Sequence, residues 1–270
     1  MQPARPQRRS WSCGASKVAH ARFANHHNSK IGGAGAVSSS RQRGPTSDDP
    51  APGGFMSDTL TRRELWALAH AERAALADDL AGIDAAQWAR RSLCGRWTVE
   101  ETLAHMTAAA SVGPARWVAS VLGARFDFDL HNDRRLAEHR GADPGETLDR
   151  FRRIIGSTTS TFGPTEAWLG EVVVHAQDIR RPLGLTRTPP VEAVTPVARF
   201  YAGRDFTVAG RSAIDGLRVE ATDGPFTAGD GPLVSGTTLA LTMAMAGRAA
   251  YCDDLTGPGV PTLRERCTPV

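Results

Sequence analysis

The sequence predicts a mainly α protein with a small α/β domain: a four-helix bundle followed by a C-terminal α+β domain. Two features carry the bundle. Between about residues 57 and 184 apolar side chains recur at helical spacing, and capping residues, Gly and Pro punctuate the runs. A third feature carries the second domain. Beyond Thr188-Pro-Pro190 the texture turns to alternation, with Leu217, Val219 and Ala221 set against Arg218, Glu220 and Thr222. With 270 residues there is ample chain for one large domain or two modest ones.

Residues 1–55 are rich in Arg, Ser, Gly, Pro and Gln and poor in large apolar side chains. Such a segment buries too little surface to offset the entropy of ordering, so a disordered tail is expected. His26-His27 and Gly32-Gly33-Ala34-Gly35 suggest a metal contact and a phosphate loop only in outline, because no strand precedes the glycines and no helix follows. Met56-Ser57-Asp58 reads as a natural start, which makes a start-site misassignment the simplest account of the tail. A transit peptide is the alternative, and the bacterial composition argues against it.

Ser57-Asp58-Thr59 are expected to cap a first helix that runs to about Gly82, striped by Leu60, Leu65, Leu68, Ala69, Leu76 and Leu80. His70 falls on its flank. After a loop through Ser92, Cys94 and Gly95, Thr98-Val-Glu-Glu101 forms a capping box that announces a second helix, through Leu103, His105 and Met106 to Val121. His105 sits one turn in, towards the inner side. A polar connection over residues 126–133 precedes a third helix, which starts at Asn132 or at Pro144-Gly-Glu146 and turns Leu148, Phe151, Ile154 and Ile155 inward. Gly163-Pro164-Thr165 opens the fourth, which ends near Pro182-Leu-Gly184. The remainder reads as a short helix over residues 196–201, a strand, a turn at Asp223-Gly224, and a helix over residues 239–251 capped by Ser235-Gly-Thr237. The expected division is a tail over residues 1–55, a bundle over 56–188 and an α/β domain over 189–270.

Charge excludes some functions. The net charge of +3 is concentrated in the tail, whose six Arg, two Lys and two Asp give +6 and leave −3 for the rest. Nucleic-acid binding by the folded part is therefore not expected. No run of roughly 18 apolar residues suggests a membrane span. Cys13, Cys94, Cys252 and Cys267 are widely spaced without a CxxC pair, which fits a reducing cytoplasm better than a disulfide framework.

The chemistry gathers on the fourth helix. In Trp168-Leu-Gly-Glu171-Val-Val-Val-His175-Ala-Gln-Asp178, Glu171 and His175 are four residues apart and share a helical face, separated by an apolar run. Burying both is costly unless something pairs with them, and a divalent metal is one such partner. With His105 from the second helix they make a set of two His and one carboxylate, leaving a coordination position open as in catalytic sites. These ligands suit Zn²⁺ first and also Fe²⁺, Mn²⁺ or Ni²⁺. Spacing by itself leaves an ordinary polar pair and a core histidine open. Asp178 either orients His175 or pairs with Arg180 or Arg181 at the helix end. Cys94 reads as a packing residue, and Trp88, Trp97, Trp117 and Trp168 as core anchors.

Cys94-Gly-Arg-Trp97-Thr98-Val99 with Leu103-Ala-His105, Gly170-Glu171-Val-Val-Val-His175-Ala-Gln-Asp178-Ile179 with Pro182-Leu-Gly184, and Gly229-Asp-Gly-Pro232 with Ala246-Gly-Arg248 resemble the mycothiol-dependent maleylpyruvate isomerase family over roughly residues 57–265. The resemblance implies a DinB-like metal-binding bundle followed by a small domain like sterol-carrier proteins. It places the metal on His105, Glu171 and His175 and a functional arginine on Arg248. It further implies mycothiol as cosubstrate, a small-molecule substrate, and an actinobacterial, cytoplasmic enzyme, monomer or homodimer. In the implied chemistry a metal-bound thiolate adds to a cis double bond, rotation follows, and elimination leaves the trans acid, while Arg248 grips a carboxylate. Transfer of mycothiol to other electrophiles, or a non-catalytic metal- or ligand-binding member, are the alternatives.

Overall fold

A computed structural model describes residues 60–95 and 97–267 of the chain. The tail with its His and Gly motifs, Cys13, the Met56 start and the Ser57-Asp58-Thr59 cap lie outside these described residues.

Helix α1 (Arg62–Asp79) opens on a capping box between Thr61 and Glu64, one turn later than expected. The Thr-x-x-Glu pattern that makes this box is plain in the sequence, where the run of Ser, Asp and Thr just before it drew the assignment. A short α2 (Ala85–Trp88) follows. The Thr98–Glu101 capping box forms as expected and starts α3 (Val99–Ala109). The single helix predicted to Val121 is instead two, because α4 (Pro114–Gly123) restarts after Gly113. Pro114 occupies a first-turn position, where its missing N–H costs nothing; in a continuous helix the same ring would clash with the preceding turn.

The two alternatives for the third helix correspond to two separate helices, the first of which begins before Asn132. Helix α5 (Phe128–His139) is capped by Asp127 and takes up most of the expected polar connection, while α6 (Pro144–Arg153) is capped by Asp143. Helix α7 (Thr165–Leu183) follows Pro164 as its N-cap and stops at Gly184, whose φ of 71° is left-handed. There Leu185 N–H bonds Arg180 O at 3.0 Å and Gly184 N–H bonds Arg181 O at 3.1 Å, so the last carbonyls of the helix are satisfied.

Four of these helices close a ring, in which α1 packs on α7, α7 on α3, α3 on α6 and α6 on α1. This is the four-helix bundle, with α4 and α5 as an excursion on the α3 side. Pro182 has a structural consequence here. Lacking an N–H, it leaves the carbonyl of Asp178 unclaimed within the helix, and Leu93 N–H takes that oxygen at 3.0 Å. Arg90 Nη1 then reaches Pro182 O at 2.8 Å. The loop through Ser92 is thereby fixed against the helix that carries Glu171 and His175.

The C-terminal portion begins with α8 (Val191–Gly203), longer than the short helix expected, and a brief α9 (Gly210–Ala213). Strand β1 (Arg218–Ala221) lies between β2 (Thr227–Ala228), antiparallel, and β3 (Leu233–Gly236), parallel. Strand β3 was missed because Ser235-Gly-Thr237 reads as a helix cap; Thr237 does cap α10 (Thr238–Met245), but Ser235 and Gly236 belong to the strand. Between β2 and β3, Gly229 and Gly231 have φ of 69° and 124°, and a Cβ there would meet Leu217 O at 2.2 Å and Gly216 O at 2.3 Å. Only glycine fits both the backbone and the space. The helix expected to residue 251 ends at Met245; a 3-10 turn (Ala249–Asp254) and α11 (Val260–Cys267) complete the chain.

One apolar cluster runs from Leu65 on α1 through Phe151, Val173 and Val197 to Met243 and Leu263. Helix α8 packs on both α7 and α10, which carries the back of α7 into this shared core. Gly170 permits the approach: a Cβ on it would lie 2.5 Å from Tyr201 Oη. Among the described residues no helix is long and apolar enough to cross a membrane.

Candidate metal centre

His105 on α3 and Glu171 on α7 meet across the bundle, with His105 Nε2 2.9 Å from Glu171 Oε1. His175, one turn further along α7, places its Nε2 3.3 Å from the same oxygen. The two imidazoles stand nearly perpendicular, with centroids 5.1 Å apart at 82°. One donor atom from each of the three residues falls within 4.8 Å of the other two. Trp97 packs its ring on His105 at 4.6 Å. Its position is set by the Ser92 loop, where Ser92 N–H and Oγ both reach Trp97 O at 3.0 Å.

Behind His175 is a chain of buried polar groups. Its Nδ1 is 2.9 Å from Asp178 Oδ2. Arg248, from the C-terminal portion, donates through Nε to Asp178 Oδ1 at 2.9 Å and through Nη2 to Oδ2 at 2.7 Å, while its Nη1 reaches Ala246 O at 2.6 Å. Asp178 thus orients His175 and does not pair with Arg180 or Arg181. Those arginines turn elsewhere, Arg180 to Glu72 and Asp79 and Arg181 to Asp254. The reason is geometric: Asp178 shares the inward face with His175, three residues earlier.

The electrostatics follow from burial and pairing. Burial alone would raise Glu171, but the charge of His175 and hydrogen bonds from His105 and His175 hold its carboxyl well below the usual range. Burial works against protonated His175, yet Glu171 and then Asp178 push it up to about 9. Asp178 is held down against burial chiefly by Arg248, and Arg248 is raised against burial by Asp178. Tyr201 is raised by burial first and by the charge of Glu171 second. Glu171 and Asp178 are thus both held as carboxylates beside His175, a setting in which a cation can displace protons.

The donor set fits a divalent ion. Two imidazole nitrogens and one carboxylate oxygen converge from facing helices, and Asp178 on Nδ1 leaves His175 Nε2 as the ligating atom. A second group, Cys94, His175 and Asp178, also lies within 4.8 Å. It suits a metal less well, because both oxygens of Asp178 are already held by Arg248.

Two cavities meet at the centre. A cleft of about 820 Å³ is lined by His105 and Glu171 together with Trp117, Trp168, Phe162 and Arg135. A smaller pocket of about 400 Å³ is bounded by His105, Glu171, His175, Tyr201 and Arg248. Of the tryptophans expected as core anchors, Trp88 and Trp97 are buried, but Trp117 and Trp168 are cleft walls. Cys94 is buried beside Trp97. His70 stays on the flank, its Nε2 3.1 Å from Ser157 O. The cleft role of Trp168 was readable, since it precedes Glu171 by three residues on one helical face. Arg135 falls just past the expected polar connection, within one of the two alternative third helices, and was not singled out as a site residue.

Residues 69–168 match the family model described as the mycothiol maleylpyruvate isomerase N-terminal domain, a stretch that includes His105 and ends three residues before Glu171. No curated protein matches the chain in sequence. Two solved structures share its fold. A crystal structure of a mycothiol-dependent maleylpyruvate isomerase is 18% identical with a TM-score of 0.51, covering 74% of this chain and 93% of that one. A His-to-Ala mutant described in the same words is 16% identical, with the same TM-score and coverage. Residues 69–168 thus resemble the mycothiol maleylpyruvate isomerase N-terminal domain, and the chain shares its fold with solved mycothiol-dependent maleylpyruvate isomerases.

Proposed function

We propose that this chain is a mycothiol-dependent metalloenzyme that isomerises an activated cis-unsaturated acid to its trans form. The observation that carries the proposal is the convergence of His105, Glu171 and His175 on the wall shared by two cavities. We assign them as the ligands of one divalent metal, Zn²⁺ by preference, within a bundle that extends to residue 188 and is followed by a C-terminal domain. Bound there, the ion supplies a Lewis acid that lowers the pKa of a thiol brought to it.

The remaining roles belong to the protein. Asp178 holds the His175 proton on Nδ1 and fixes the ring, and Arg248 keeps the fully buried Asp178 ionised. Trp117, Trp168 and Phe162 give the larger cleft apolar walls that exclude water from a bound substrate. Arg248 reaches the smaller pocket as the partner of Asp178, so its role there is to hold that carboxylate and through it His175. The overall reaction is reversible thiol addition to the double bond, rotation about the resulting single bond, and loss of the thiol.

Maleylpyruvate turnover, followed by absorbance with and without mycothiol, tests this. The expected result is turnover only with mycothiol present, reduced at least about 100-fold in His105→Ala, with thiol binding visible by calorimetry. Absence of both turnover and mycothiol binding at millimolar thiol would favour a non-catalytic protein, while thiol binding with adduct formation on other electrophiles would point to a transferase.

A further inference from the structure

The two arginines that border the cavities are in different states. Arg248 has Nε and Nη2 engaged by the fully buried Asp178, so its fork is already filled. Arg135, on α5, lines the larger cleft together with His105 and Glu171. Among the described residues it pairs through Nη2 with Glu138, a 40% exposed carboxylate that Arg116 also contacts. Its Nε is buried with no hydrogen-bond partner among the described residues. His131, on the same wall, is pushed down by burial and by the charge of Arg135.

A half-buried guanidinium with an unmet donor, set in apolar walls, is matched by a carboxylate, which it binds through parallel N–H···O bonds. The walls select the rest of the ligand. Phe162 meets Trp117 edge to face at 5.7 Å, and Trp168 lines the same cleft, which suits a flat apolar body. We propose that Arg135 anchors the carboxylate of an organic acid whose apolar body lies against Trp117, Phe162 and Trp168, with its far end towards His105 and Glu171. This deepens the proposed function by assigning the acid end of its substrate, but it requires neither thiol nor turnover.

Calorimetric titration of the full-length protein with cinnamate and with its neutral amide tests the assignment. Wild-type protein should prefer cinnamate by about 10-fold or more. Arg135→Gln should bring that preference to within about 2-fold while leaving the amide's affinity unchanged, and Arg135→Lys should keep part of it. Unchanged cinnamate binding in Arg135→Gln, equal loss of both ligands, or no preference in the wild type would each overturn the proposal. Metal content and mycothiol binding, read on the same preparations, separate the two claims. An intact Arg135-dependent preference without metal sinks only the proposed function, and metal with no such preference sinks only this one.

Discussion

Arg180→Ala will lower folding stability by about 3–5 kcal/mol, the range for stripping one partner from a buried ion pair. Arg180 is fully buried on α7 and reaches across to α1, pairing through Nη1 with Glu72 and through Nε with Asp79. Glu72 is itself buried, and burial already raises its pKa against the opposing pull of Arg180. Without that guanidinium Glu72 is stranded or must take up a proton, and either outcome costs stability. Asp79 fares better because Arg187 also holds it at 2.8 Å. Urea unfolding followed by circular dichroism measures the loss. A change below about 1 kcal/mol would mean that the pair contributes little. The double replacement Arg180→Met with Glu72→Leu should recover most of the loss, since apolar side chains of similar size replace buried ion pairs well.

Asp178→Asn should weaken metal binding about 10–100-fold, the usual cost of removing the group that orients a ligating histidine. Asp178 is completely buried and joins two parts of the chain, accepting from His175 on its own helix and from Arg248 some 70 residues on. An amide in its place can still accept one hydrogen bond but no longer offsets the charge of Arg248, which sits in the smaller pocket beside the ligands. The repulsion then falls on any cation at the centre. Competition with a chelator of known affinity measures the effect. Equal affinity in wild type and Asp178→Asn would show that His175 is held by packing alone.

The parts of this architecture that depend on local chemistry were legible in the sequence. The Thr98–Glu101 box, the Gly184 stop and the inward faces of α3 and α7 follow from capping and periodicity, and they bring His105, Glu171 and His175 together. The first turn of α5 was hidden because Asp127, Asp129, Asn132 and Asp133 look like a loop, and the helix's apolar face is slight. Strand β3 was hidden because its residues double as a plausible cap. The pairing of Asp178 with Arg248, and the exposure of Trp117 and Trp168 to a cleft, depend on how distant segments pack, which periodicity along one helix does not encode. Pro182 is an intermediate case. Its missing N–H is evident from sequence, but only the fold shows that Leu93 uses the carbonyl it leaves open.

The central claim is that His105, Glu171 and His175 hold a metal, and the most direct test is elemental analysis of the purified protein by mass spectrometry. About one divalent ion per chain is expected in the wild type, and almost none in the triple variant His105→Ala, Glu171→Ala, His175→Ala, with circular dichroism confirming that the variant is folded. Full occupancy in that variant, or a wild type that binds no divalent metal even when it is supplied, would contradict the account.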